Sequence, residues 1–336
     1  MMAAFVTRKR WLMKLAILFC LLSLVLYSQE ESQDLADNTI PIVFPESPPP
    51  LIQQQNPTVQ DFSLPEVRPQ KKSYISVPLS MLFPGLGHLY LGEPKTAVSL
   101  SGSCLTYAWA ASRRISYSAL LHTRQIFWNT WDYGIYAAYR DTRACNPGVT
   151  YSYKMPMDSL LDLTYASFNP AILKKTEVWG GLLAFLGLGL GATYICRWAN
   201  AHIDHSFFFK PVKHIPFFAF PVGVGEEALY RGYLQSQIAE ISNPLVGMTL
   251  STLAFGAAHL PKASLMARRR KIQFYSISIP IITSFGAYAS WLTYKNRSLK
   301  ESVAIHSWYD FVLFAAEYLN LSTSSGNSEF AFYLPF

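Results

Sequence analysis

The chain has 336 residues, of which 51% are hydrophobic and only 15% charged, against roughly 25% charged in an ordinary soluble protein. The shortfall is concentrated in long apolar segments, which excludes an evenly hydrated soluble domain and points to a membrane protein. The net charge of +7 lies in short clusters beside apolar runs, at Arg8 to Arg10, Arg113-Arg114, Arg268 to Lys271 and Lys295 to Lys300. That is the pattern of loops at a bilayer surface, in contact with membrane lipid. Nucleic acid is not expected as a partner, because no basic stripe is interleaved with stacking aromatics outside the apolar spans.

The N-terminus, TRKRWLMKLAILFCLLSLVLYS, sets a basic stretch before an apolar core from Leu15 to Tyr27, the length of a signal sequence more than of a full span. Its end lacks a small-x-small cleavage pattern, so residues 1–28 read as a signal sequence or an uncleaved membrane anchor. Residues 29–72, with PESPPP and QQQ, carry too little apolar surface to offset the entropy of ordering and read as a disordered linker. Two apolar segments follow, broken at Gly92-Glu93-Pro94, which predicts a tight helical hairpin. Within it PGLGHLYLG weakly resembles the signature of small two-helix membrane modules.

Between Ile115 and Tyr139 aromatics mix with Arg124, Asn129 and Asp132, as expected of an interfacial helix or a small extramembrane pack with rings at headgroup depth. Residues 73–174 are accordingly read as a membrane hairpin plus an aromatic-rich helical region. Val178 to Cys196 is uncharged throughout and is the clearest spanning helix. Gly187 and Gly191, one turn apart within it, are expected to admit a close neighbouring helix. Further apolar spans run from about His214 to Ile238, Pro244 to Leu260, Phe274 to Tyr294 and Val303 to Leu319. The fold class expected is therefore an all-α, multi-pass transmembrane helical bundle. Its core occupies residues 175–320, followed by a C-terminal tail, 321–336. The cysteines Cys20, Cys104, Cys145 and Cys196 have no metal-type spacing and read as packing residues.

Ionisable groups inside spans cost about 2.5 to 3.5 kcal/mol each and persist where they face protein or a wet cavity. Those in the C-terminal spans are Glu226, Glu227 and Arg231, then His259, then His306 with Asp310. On a helix Glu227 and Arg231 are i and i+4 and can pair, while Glu226 points elsewhere and is left to handle a proton. One acid and two imidazoles on three helices can bind a metal, or can activate a water and stabilise an oxyanion without one. Elsewhere, His202 and His205 have metal-like spacing but read as a headgroup-level loop, and His88 and His122 as core or interface residues.

Glu226-Glu227-x-x-x-Arg231, Phe255-x-x-x-His259 and His306-x-x-x-Asp310, in that order on successive apolar segments, resemble the CPBP intramembrane proteases. That family includes type II CAAX prenyl endopeptidases and bacterial relatives linked to bacteriocin processing and self-immunity. The resemblance covers roughly residues 175 to 320. It implies an intramembrane endopeptidase acting on a protein or peptide substrate, and the signal-like start suggests the bacterial inner membrane as its place. Glu226 would be the general base for water, assisted by His259; His306 and Asp310 would face the oxyanion; Arg231 would hold the acidic pair through Glu227. No cofactor is required on this reading, and a divalent metal such as zinc, if present, would take Glu226, His259 and His306. Many members have Asn where this chain has Asp310. An ionised Asp cannot donate to an oxyanion. Either it is protonated, or, as we prefer, it accepts from His306 and fixes its tautomer. The competing function is a non-enzymatic membrane scaffold or immunity-type protein that keeps the polar residues for helix or partner binding.

Overall fold

The computed structural model describes residues 70–113, 115–198, 215–266 and 268–323. The signal sequence or anchor, nearly all of the linker, His202 with His205, and most of the C-terminal tail lie outside the described residues.

Every regular element among the described residues is helical. Helix α1 (Ser73–Leu82), α2 (Leu86–Leu91) and α3 (Pro94–Ser112) form the N-terminal hairpin, and α4 (Tyr117–Ala144) follows. The hairpin has one more break than its sequence pattern predicts. Gly85 adopts φ 95° between α1 and α2, and a side chain there would run into the Ala97 carbonyl and Ser101. Only glycine meets both demands. The second break falls where expected: Gly92, at φ 86°, ends α2 and Pro94 opens α3.

Short helices α5 (Leu160–Ala166) and α6 (Pro170–Leu173) lead into α7 (Thr176–Trp198). From Ile215 one helical rod changes pitch along its length. A 3₁₀ turn (Ile215–Phe218) runs into α8 (Ala219–Glu227), a π-helical stretch (Ala228–Leu234) and α9 (Gln235–Ile241). Helix α10 (Pro244–His259) ends in a 3₁₀ turn, and α11 (Arg268–Gln273) passes through a second π turn (Phe274–Ser278) into α12 (Ile279–Asn296). Helix α13 (Lys300–Thr323) is the last. Among the described residues no helix is long and apolar enough to cross a membrane.

Helices α8, α10, α12 and α13 pack into a bundle, with α7 against α12 and α13 and α4 against α8 and the π-helical stretch. Two packing expectations change. Gly187 and Gly191 have open space where a Cβ would be; the close approach on α7 is at Gly181, which meets Tyr288 and Ile305. Periodicity marks a small-residue face but not whether a neighbour occupies it. The rings of Tyr133, Tyr136 and Tyr139 on α4, expected at headgroup depth, are buried within the protein.

Two polar devices tie the connection between α4 and α5 to the bundle. Arg143 on α4 pairs with Glu240 on α9 at 3.2 Å, and Glu240 accepts from the backbone N–H groups of Ser152 and Tyr153. Asp158 accepts from the Leu299 N–H at 2.7 Å and the Ser298 hydroxyl at 3.0 Å, so a distant carboxylate caps the start of α13.

Helix α5 has its own cap. Ser159 Oγ accepts from the Asp162 N–H, and Asp162 accepts from the Ser159 N–H at 3.0 Å. The Ser159 hydroxyl, donating at 2.7 Å, then its N–H and Lys300 at 3.2 Å pull the Asp162 carboxyl down to about 2. A carboxyl lowered on folding stabilises the fold above its unfolded value of about 4, and that contribution fades as pH falls toward 2. Ser159→Ala should therefore cost about 1 kcal/mol at neutral pH. Thermal unfolding of wild type and variant should converge as the solution is acidified through this window.

Candidate functional site

The polar residues of the C-terminal bundle converge from three helices on one buried ring, His306 of α13. Glu227, at the end of α8, is fully buried and so is Arg231, one turn on in the π-helical stretch. Arg231 donates from Nη1 to Glu227 Oε1 at 3.0 Å and from Nη2 to the Gly286 carbonyl on α12 at 3.2 Å. Its guanidinium lies 4.2 Å from the Phe255 ring centroid, a cation–π contact that shields the charge on the α10 side. His306 donates from Nδ1 to the same Glu227 oxygen at 2.6 Å. Two cationic or proton-bearing groups thus share one carboxylate oxygen.

The far nitrogen of His306 looks out of this cluster. Nε2 is 3.9 Å from Glu226 Oε2 and 3.6 Å from Asp310 Oδ2. Both separations are too long for a direct hydrogen bond, and one water can touch both Nε2 and Glu226. The Glu226 side chain is 29% exposed whereas Glu227 has none of its side chain accessible, so adjacent residues of one motif face opposite surroundings. Asp310 is buried, with Oδ1 lacking a hydrogen-bond partner.

His259 closes the group from the end of α10. Its Nδ1 donates to the Phe255 carbonyl one turn back at 2.9 Å, which makes Nε2 the lone-pair nitrogen. Rings stack around these polar atoms. Phe255 stands edge-on to His259 and to His306, with centroids 4.9 and 5.9 Å away, and Phe285 meets His306 at 5.2 Å. The apolar wall keeps bulk water from the imidazoles and strengthens their electrostatics.

The arrangement revises one role given to Asp310. The group that accepts from His306 and fixes its tautomer is Glu227, because Glu227 reaches Nδ1 across the α8–α13 contact while Asp310 stays 3.6 Å from Nε2. The chain separation between Glu227 and His306 hides this bond from any local motif.

Glu226, His259 and His306 do not form a metal-like cluster. Among the described residues, three metal-ligating side chains whose donor atoms all lie within 4.8 Å of one another occur at His88, Glu93 and Asp141. There Arg140 grips Asp141 through Nε at 2.7 Å and Nη2 at 3.0 Å, and His88 Nε2 stands 3.3 Å away. That cluster joins α2 to α4 as an ion-pair network.

A buried acid–guanidinium pair, an imidazole hung on it and a half-open carboxylate beside that imidazole define a polar site suited to hydrolytic proton transfer inside a helical bundle. Residues 208–312, which contain all three motifs, match the family model described as type II CAAX prenyl endopeptidase Rce1-like. The matched model belongs to the CPBP and CAAX protease family that the motifs resemble, and it covers less than half of the chain. Neither the curated proteins nor the solved structures give a match to the chain.

Removing Arg231 alone leaves Glu227 buried without its strongest counter-charge. Arg231→Leu should cost roughly 3–5 kcal/mol. Adding Glu227→Gln to it should recover part of that loss, and thermal unfolding of the two variants measures the difference.

Proposed function

We propose that this chain is a membrane-embedded endopeptidase that hydrolyses peptide bonds of CAAX-type C-termini in or beside the bilayer, with Glu226 as general base. The observation that carries the reading is the position of His306: one nitrogen is anchored to the buried Glu227–Arg231 pair and the other stands 3.9 Å from Glu226 Oε2, where one water beside them could bond to both.

In this mechanism Glu226 takes a proton from that water as its oxygen adds to the carbonyl carbon of the scissile bond. The carbonyl electron pair moves onto oxygen, where His306, bearing a proton on Nε2, meets the developing charge. Collapse of the tetrahedral species breaks the C–N bond, and the leaving amine takes the proton that Glu226 holds. His259 Nε2 assists as a second acceptor toward the water. Asp310 supports the charge on His306. No cofactor enters any step.

The bilayer setting rests on the family match and on the protein's outer surface. Leu183, Leu188 and Leu190 on α7 and Leu245, Leu250 and Leu253 on α10 are all exposed, an apolar coat that lipid would cover. Helix α7, the α8–α9 rod, α10, α12 and α13 would sit in the bilayer together, although none of them alone is long and apolar enough to cross it. A cluster of rings, Phe168, Phe217, Phe220, Trp308 and Phe311, flanks the contact between α8 and α13 and supports an apolar substrate group near the site.

Glu226→Gln is close to isosteric and removes no hydrogen bond described in the fold. It should lower kcat on a prenylated CAAX peptide by about 10²- to 10⁴-fold while the thermal transition stays in place. A protein that merely scaffolds helices or a partner would keep its cellular function in complementation with this variant.

A further inference from the structure

Helix α5 is apolar on two opposite faces, and the bundle covers one of them. Leu163 and Ala166 are buried, on the side that packs against α13 and α8. On the other side Leu161 is 66% exposed and Tyr165 62%, one turn apart, and Phe168 follows at 54%. With 3.6 residues per turn the three fall within about 60° of one another and face away from Leu163. The helix cannot turn to hide this stripe. Trp308 Nε1 on α13 donates to the Ser167 carbonyl at 2.8 Å, and Asp162 pairs with Lys300 at 3.2 Å, so rotation would break both bonds and expose Leu163.

The surroundings point to what covers it. Three outward side chains are far too few for a stable protein interface, which takes roughly 20–30 residues a side, whereas a lipid surface sets no such minimum. Helices α5 and α6 lead directly into α7, where the exposed Trp179 and Leu183 begin the apolar coat. Charged groups and rings alternate at the same end of the bundle. Lys175 beside the start of α7 pairs with Glu301 at the start of α13, and Lys295 at the end of α12 pairs with Glu177 at 3.1 Å. The Lys295 ammonium also stands 5.1 Å from the exposed Trp291 ring. Lysines and amphipathic rings at the ends of apolar helices are the side chains that headgroup depth selects.

We propose that α5 is an interfacial helix whose Leu161, Tyr165 and Phe168 stripe lies in the boundary between headgroups and acyl chains, and that it sets the depth of the adjoining site. This rests on the bilayer setting proposed above. Phe168 packs against Phe220 of α8 with ring centroids 4.8 Å apart and meets Trp308 of α13 edge-on, so the stripe runs into the rings beside the α8–α13 contact. His306 follows Lys300, the first residue of α13, by about 9 Å along the helix axis. The site is thereby held beneath the headgroups, where water is at hand, and short of the bilayer middle, which lies about 15 Å in.

The test uses the full chain, made cysteine-free and reconstituted in phosphatidylcholine vesicles, with single cysteines carrying a small environment-sensitive fluorophore. Leu161→Cys and Tyr165→Cys report on the stripe, Leu183→Cys on the α7 coat and Lys154→Cys on an exposed polar position. The stripe labels should be quenched several-fold more by nitroxide lipids labelled near the headgroup than by those labelled at the chain end. They should also resist aqueous iodide several-fold better than the Lys154 label. Both stripe side chains point outward, so neither exchange opens the core; should one variant fail to fold, the other decides alone.

Stripe labels open to iodide and untouched by either nitroxide lipid, with the Leu183 label quenched by lipid, overturn the proposal and leave the bilayer setting standing. Stripe labels shielded from iodide yet unquenched by lipid overturn it too, since protein then covers the helix. A Leu183 label that neither lipid quenches overturns the bilayer setting itself and this inference with it.

Discussion

The C-terminal bundle is organised around one buried oxygen, Glu227 Oε1, which accepts from Arg231 at 3.0 Å and from His306 at 2.6 Å. An unpaired carboxylate at full burial would carry a desolvation penalty of several kcal/mol, so the structure around it is constrained to keep both donors in place. Arg231 is in turn fixed by the Gly286 carbonyl and the Phe255 face, which brings α12 and α10 into the same arrangement. Helix α13 enters through His306. One polar atom thereby sets the mutual orientation of four helices, and each of the three motifs is needed for that reason before any catalytic role is considered.

The change of pitch after Glu227 belongs to the same constraint. Over Ala228–Leu234 the backbone bonds to the fifth residue back, as where the Gln235 N–H meets the Tyr230 carbonyl. Wider turns of this kind often mark functional sites, since they redirect side chains without breaking the helix. Here the widening follows the two adjacent glutamates directly. One of them points into the protein toward Arg231 and the other toward the half-open side shared with His306. The surrounding small residues serve close approach, with Gly225 and Gly232 letting α4 come into contact through Asn129 and Tyr136.

Much of this was legible in the sequence, for identifiable reasons. Helical architecture follows from long apolar runs punctuated by Gly and Pro, and the polar residues stand out because charge is costly in such runs. The i, i+4 pairing of Glu227 with Arg231 is a local geometric fact that any helix reveals. What depended on which helix neighbours which was not legible. His306 bonds to Glu227 on another helix and not to Asp310 on its own, Gly181 rather than Gly187 or Gly191 receives a neighbour, and the tyrosines of α4 are interior.

The link from Asp158 to the start of α13 has a consequence for what counts as the working unit of this molecule. The stretch that matches the family model, residues 208–312, contains neither that carboxylate nor α4. Excised on its own, it would begin its final helix with a stranded amide and would show a bare flank where Tyr136 and Asn129 had been lodged. The likeness covers a shorter piece of chain than the one whose contacts hold the bundle.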